Sequence, residues 1–260
     1  MIETKDTELL KQGLNDHQLP VVSLKHIYKS FGSNKVLRGF NLDLNRGENI
    51  VVLGKSGSGK SVLIKCIIGL LMPDQGEILV FGRDVLSLNH EELDAMRAKI
   101  GFLFQSNALY DSLTVRENLE FPLRRHWIKL TQAEVLQRVI HALEDVGLTH
   151  TIDMMPSELS GGMKKRIALA RTLILRPEII LYDEPTSGLD PITGKEIIDL
   201  MVEIKIKYNT SSLIISHDMT CVKMASDRVA VLLDGQCYIC DTYAHLQRSS
   251  DPKVRQYFDI

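Results

Sequence analysis

No apolar run in this chain reaches the roughly 18 residues that a membrane-spanning helix needs. The richest, over 62–72, is interrupted by Lys65. The first twenty residues, MIETKDTELLKQGLNDHQLP, lack the apolar stretch of a secretory signal. The expectation is a chain that stays in the cytoplasm, where its four cysteines remain reduced. Cys237 and Cys240 form a C-x-x-C, but no second pair completes a zinc site. An Asp-Gly turn signal at 234–235 precedes them, so the pair reads as structural. An excess of basic charge is also missing: 31 Lys and Arg stand against 33 Asp and Glu, for a net charge of −2. That balance argues against a binder of nucleic acid, and none is expected as a partner. There is no internal repeat and no low-complexity tract. What is present is ordinary globular material, 44% hydrophobic and 25% charged, in 260 residues, enough for one large domain or two small ones.

Short apolar runs over 21–45, separated by FGSNK and NRGE, predict β-strands with turns. After NIVVLG the pattern turns helical through Leu70, with Pro73 as the stop. Strand-like pieces return at 76–81, 100–104, 179–182, 212–216 and 229–233, most of them separated by helical segments. The alternation predicts an α/β fold with a mostly parallel sheet. Over 107–158 strands disappear. Thr114 with Glu117 and Thr131 with Glu134 have capping-box spacing, and Val135, Val139, Leu143 and Val146 share one helical face that ends at Gly147. This predicts a small helical subdomain inserted into the α/β core.

Between two apolar segments lies GKSGSGKS, residues 54–61, which fits the phosphate-binding pattern G-x-x-x-x-G-K-[ST]. Triphosphate oxygens must meet several backbone N–H groups at once, so the loop needs glycines that turn tightly and leave no side chain in the way. A helix starting near Lys60 adds its positive dipole end, Lys60 neutralises the β- and γ-phosphates, and Ser61 offers a hydroxyl to Mg²⁺. The motif sits between a strand and a helix, as this chemistry demands.

IILYDEP puts Asp183 and Glu184 at the end of an apolar strand. Adjacent residues on an extended chain point to opposite sides, which would let Asp183 hold Mg²⁺ while Glu184 polarises the attacking water. Gln105 follows IGFLF and His217 follows SLIIS directly. Ligands of open parallel sheets bind outside the carboxyl ends of the strands, so Gly54, Gln105, Asp183, Glu184 and His217 converge on one edge. His217 would reach the γ-phosphate and the water, and Gln105 would reach Mg²⁺ and the water. The expected reaction is hydrolysis. Farther on, LSGGM over 159–163 opens the helix KKRIALARTLIL, with Met163, Ile167, Ala170 and Ile174 on a plausible buried face. Ser160, Gly161 and Gly162 make a second anion-binding helix start, or a plain N-cap.

Together, GKSGSGKS (Walker A), LSGGM, IILYDE (Walker B), SGLD and the histidine after SLIIS resemble an ATP-binding-cassette (ABC) ATPase, in order and spacing, over 21–246. The resemblance implies a P-loop NTPase with a RecA-like core, an antiparallel β subdomain and a helical subdomain. The implied segments are an extension at 1–20, core and β subdomain at 21–106, helical subdomain at 107–158, continued core with the signature helix at 159–246, and a tail at 247–260. It assigns nucleotide binding to Gly54, Lys55, Ser56, Gly57, Ser58, Gly59, Lys60, Ser61 and Val62, catalysis to Glu184, His217 and Gln105, and Mg²⁺ to Ser61, Gln105 and Asp183. Phe31, in KSFG, matches the aromatic that stacks on adenine, with Tyr28 a weaker candidate. Two cassettes would pair head to tail, Ser160, Gly161 and Gly162 of one covering ATP on the other, with Asp190 linking the sites. Met163 stands where glutamine is most common in the family.

LFQSNALYDSLTVRENLEFPL, MPSELSGGMKKR, DPITG and SDPKVRQYF are similar to one branch, the ATPases of MCE-associated, Mla-type phospholipid transporters. That branch implies a homodimer under a permease dimer on the cytoplasmic face of the inner membrane, together with an MCE-domain lipid-binding protein. An ABC ATPase serving an amino acid, ion or drug, or a soluble cassette outside transport, remains the alternative. The segment from Gln105 to Glu117 is the expected docking site for the permease.

Overall fold

A computed structural model of the chain describes residues 19–124 and 128–259, so most of the expected 1–20 extension lies outside the described residues. Strands β1 (Val22–Phe31) and β2 (Asn34–Leu44) lead into β3 (Asn49–Leu53) and helix α1 (Lys60–Ile67). There follow β4 (Gln75–Val80), β5 (Arg83–Asp84), α2 (His90–Ala98) and β6 (Ile100–Leu103). Helices α3 (Val115–Glu120), α4 (Gln132–Asp145) and α5 (Gly161–Leu173) come next, with no strand among the described residues between β6 and β7 (Ile179–Asp183). The chain closes with α6 (Pro191–Tyr208), β8 (Ser211–Ser216), α7 (Met219–Ala225), β9 (Arg228–Leu233), β10 (Gln236–Asp241), α8 (Tyr243–Gln247) and α9 (Pro252–Phe258).

Two sheets result. β2-β1-β4-β5 is antiparallel throughout, while β10-β9-β3-β8-β7-β6 is parallel except at its edge strand β10. All five residues of β3 are buried, as expected of a central strand covered on both faces. Side-chain alternation divides its load. Val51 and Leu53 pack with α3 to α7, whereas Ile50 and Val52 pack with α1, α2 and the antiparallel sheet. Parallel register then carries β3, β6, β7 and β8 to carboxyl ends on one edge.

Local signals act largely as expected. Glu117 and Glu134 close capping boxes with Thr114 and Thr131, and Gly147 takes φ +69° after α4. Asp234 and Gly235, both with positive φ, turn β9 into β10, and burial pushes the Cys237 thiol up to about 12. Helix α1 is shorter than its periodicity predicts. It ends at Ile67, and Gly69 (φ +64°) lets the amides of Leu70 and Leu71 return to the Lys65 carbonyl, so this glycine rather than Pro73 stops it. No helix among the described residues is long and apolar enough to cross a membrane.

Candidate active site

The loop between β3 and α1 is shaped around Lys60. Its ammonium, only 7% exposed, donates to the carbonyls of Gly54 (2.8 Å) and Lys55 (3.1 Å) and lies 3.8 Å from Glu184 Oε1. Burial lowers its pKa, opposed by the carboxylates of Glu184 and Asp183. Leu63 is the first amide of α1 to reach back to a carbonyl, that of Gly59, which leaves the N–H groups of the first turn for a ligand. Gly59 itself has φ +103°, and a Cβ there would stand 2.5 Å from Val36 Cγ1. The position thus needs glycine for its backbone and for its packing against β2.

Asp183 ends β7, and its Oδ1 accepts from Ser61 Oγ at 3.2 Å. Burial raises its carboxyl pKa, partly offset by that hydroxyl. The separation of Asp183 from Glu184 does not come from an extended chain, as expected from the sequence. Glu184 adopts φ +50°, outside the strand, with its amide donating to the Ile215 carbonyl at 2.9 Å. Such a backbone costs about 1–3 kcal/mol in a non-glycine residue. It turns the carboxylate, 12% exposed, so that Oε1 faces Lys60 and Oε2 meets His217 Nδ1 at 2.8 Å.

These groups border an open cleft of about 540 Å³, lined by Phe31, Val36, Ser56, Gly57, Gly59, Lys60, Ser61, Val62, Gln105, Glu184, Ile215 and His217. Such a volume suits a small-molecule ligand. Phe31 lines it, whereas the Tyr28 hydroxyl is packed onto Gly39 of β2. Gly54 and Lys55 contribute carbonyls to Lys60 from behind the cleft wall. Ser58 Oγ is buried without a partner. Gln105 directs its side-chain amide to Ser187 Oγ at 3.2 Å.

Ser160, Gly161, Gly162 and Asp190 lie elsewhere, around a second hollow of about 440 Å³ that shares no lining residue with the cleft. Ser160 Oγ caps α5 by accepting from the Met163 amide at 3.2 Å. Asp190 caps α6, accepting from Ile192 and Thr193 amides and from the Thr193 hydroxyl (2.6 Å), contacts that hold its carboxyl below the usual range. The two glycines do different work. A Cβ on Gly162 would come within 2.6 Å of Thr193 Cγ2, while one on Gly161 would meet nothing closer than 3.9 Å. One glycine closes the α5–α6 contact and the other leaves the opening clear.

Three residues escaped the sequence reading: Ser187, Lys165 and Arg171. Lys165 is 1% exposed and donates to the Gln105 carbonyl at 3.0 Å, and burial pushes its ammonium down to about 8 against the pull of Asp183. Its spacing from Ala168, Leu169 and Thr172 on one helical face was the available signal.

The donor set suits Mg²⁺ carried with phosphates. Ser61 Oγ and Asp183 Oδ1 are hard oxygens side by side, and Mg²⁺ in such sites takes one or two protein carboxylates beside the phosphates of its substrate. Among the described residues no cluster of three or more His, Cys, Asp or Glu could form an all-protein metal cage.

Comparison with known proteins agrees with this geometry. Residues 37–187 match the family described as ABC transporter. The probable ribonucleotide transport ATP-binding protein mkl of Mycobacterium leprae is 38% identical over 247 residues, covering 94% of this chain and 71% of the relative. The intermembrane phospholipid transport system ATP-binding protein MlaF of Haemophilus influenzae is 37% identical over 237 residues, covering 91% of this chain and 89% of that one. Among solved structures, the dimeric post-hydrolysis state of the ATP-binding cassette MJ0796 bound to ADP and Pi matches with a TM-score of 0.77 at 32% identity, over 85% of this chain and 98% of that chain. A buried lysine in a phosphate loop, a glutamate held between that lysine and His217, and these matches converge: the chain belongs to the ABC transporter family, as an ATP-hydrolysing subunit.

Proposed function

We propose that this chain energises phospholipid movement between inner and outer membranes, working as a homodimer beneath a permease on the cytoplasmic face of the inner membrane, with an MCE-domain protein as lipid carrier. The observation that supports this cargo is likeness to the Haemophilus phospholipid-system protein over nearly the whole of both chains. Likeness to the mycobacterial ribonucleotide-system protein favours a second reading, an ATPase for another cargo. Affinity capture of the intact complex from membranes, with lipid tracing in cells lacking the chain, separates them. Recovery of a permease and an MCE-domain protein, with misplaced phospholipid, supports the first; an unaltered lipid distribution contradicts it.

In the cleft, the first-turn amides of α1 and Lys60 hold the phosphates, and Phe31 stacks on adenine. Glu184 Oε1 and Oε2 lie between Lys60 and His217, which supports a reading in which this carboxylate orients and deprotonates water while His217 keeps it aimed at the γ-phosphate. Ser61, Asp183 and Gln105 would hold Mg²⁺, which supplies charge neutralisation for phosphoryl transfer. Ser160, Gly161 and Gly162 serve the nucleotide of the second copy, and Asp190 joins the two sites. The segments 21–106, 107–158 and 159–246 then act as core with β subdomain, helical subdomain and continued core.

The permease docks near α3. The groove there, of about 300 Å³, lies beyond most of the expected 105–117 segment and shares only Arg116 with it; Glu120, Leu123, Arg124, Leu130, Gln132 and Val135 line the rest. Exposed Tyr110 and Phe121 pack tilted against each other, with centroids 4.8 Å apart. Glu117 is committed to the Thr114 cap, so it is a poor probe of docking. Arg116, paired to Glu120 at 2.8 Å on the surface, is the better one. Arg116→Glu is expected to reduce membrane recruitment and transport while leaving nucleotide affinity intact; unchanged recruitment in a flotation assay would count against this groove.

A further inference from the structure

The loop leaving β6 is held by two cations from α5. Lys165, almost fully buried, makes its one hydrogen bond among the described residues to the main-chain carbonyl of Gln105, at 3.0 Å. Six residues on, Arg171 donates to the carbonyls of Ala108 (2.8 Å) and Asn107 (3.1 Å). Both of those residues have positive φ, +63° at Asn107 and +52° at Ala108, a conformation uncommon and costly in non-glycine residues, above all at Ala108. Asn107 Oδ1 is buried without a partner, so its own side chain does not stabilise the bend. The far side is pinned as well, where buried Asn118 bonds to both N–H and C=O of Tyr110.

A buried ammonium is costly, and an apolar side chain would fill the same space at less expense of desolvation. The charge falls on the carbonyl of the very residue whose side chain lines the cleft. We propose that Lys165 and Arg171 are positioning residues, which fix the strained 105–108 main chain so that Gln105 is presented to the nucleotide. This rests on the reading of Gln105 as a participant in hydrolysis. It also makes the signature helix one rigid strut, with the face offered to the second copy at its start and the grip on the loop along its length.

The test uses the full chain, in its transporter where turnover requires it, with the variants Lys165→Met, Lys165→Arg, Gln105→Ala and the double variant. For Lys165→Met the expected results are a fluorescent-ATP Kd within about twofold of the parent and kcat lower by about tenfold at unchanged KM. Amide hydrogen exchange over 105–110 should quicken by about tenfold while β3 and β7 keep their protection. Lys165→Arg, which keeps a donor, should restore both. Lys165→Met combined with Gln105→Ala should be no slower than Gln105→Ala alone, because both remove the same contribution. Parental kcat or parental exchange over 105–110 in Lys165→Met overturns the proposal, as does additivity in the double variant. If Lys165→Met does not fold, Lys165→Leu, which likewise has no donor, is put through the same measurements with the same criteria. Should Gln105→Ala itself leave kcat unchanged, the role of Gln105 falls and this inference with it. A slow Gln105→Ala beside a normal Lys165→Met removes the positioning claim alone.

Discussion

The cleft at the end of β3 and the hollow at the start of α5 both present a helix N-terminus, but their chemistry differs. In the cleft, polar groups engage one another: buried Lys60 with half-buried Glu184, Glu184 with exposed His217, Ser61 with Asp183. In the hollow, Ser160 and Asp190 are exposed and satisfied by their own helices. The cleft carries desolvation and backbone strain in advance, as a reacting centre does. The hollow carries almost none and is shaped by packing alone. On the proposed reading, one acts on a phosphate and the other closes over a phosphate that another copy holds.

The largest effect that sharpens this contrast is expected from Glu184→Gln. It keeps the shape of the cleft and removes the proposed base, so turnover should fall by about 10²–10⁴-fold with nucleotide affinity retained. Phosphate release measured beside nucleotide titration checks it, and normal turnover would remove the role given to Glu184. Lys60→Ala should weaken fluorescent-ATP binding itself by roughly 10–100-fold, since it deletes a charge-assisted contact. In the hollow, Gly161→Leu should leave the isolated chain as stable as the parent and its ATP affinity unchanged, yet abolish nucleotide-dependent dimers in sedimentation. Gly162→Ala should do the reverse. Its clash with Thr193 costs about 1–3 kcal/mol in thermal or denaturant unfolding. If both glycine variants lose stability equally, the division of labour between these neighbours is wrong.

How legible all this was from the sequence depended on range. Phosphate loop, capping boxes and the Asp-Gly hairpin are set by contacts within a few residues, and they stood out. The parallel sheet follows from alternation, which by itself puts Gln105, Glu184 and His217 on one edge. What was hidden depends on contacts across the fold. The grip of Lys165 on Gln105 spans 60 residues of chain, and nothing local distinguishes Lys165 from the half-buried Lys164 beside it except helical phase. The left-handed turn at Glu184 is imposed by the Ile215 carbonyl of a neighbouring strand. Phe31 and Tyr28 are equally aromatic in the sequence, and only the packing of Tyr28 against Gly39 removes it from the cleft. Gly69 was visible, yet the apolar run through Leu70 masked it as the end of α1.

The central claim is that the two unlike surfaces of one chain meet only across a dimer, around the same nucleotide. A structure of the Glu184→Gln variant trapped with Mg·ATP tests it most directly. The account predicts two copies related by a twofold axis, with the Ser160 hydroxyl and the amides of Gly161 and Gly162 from one copy against the γ-phosphate seated on Lys60 of the other. A nucleotide-bound structure in which those groups face solvent in both copies would contradict it.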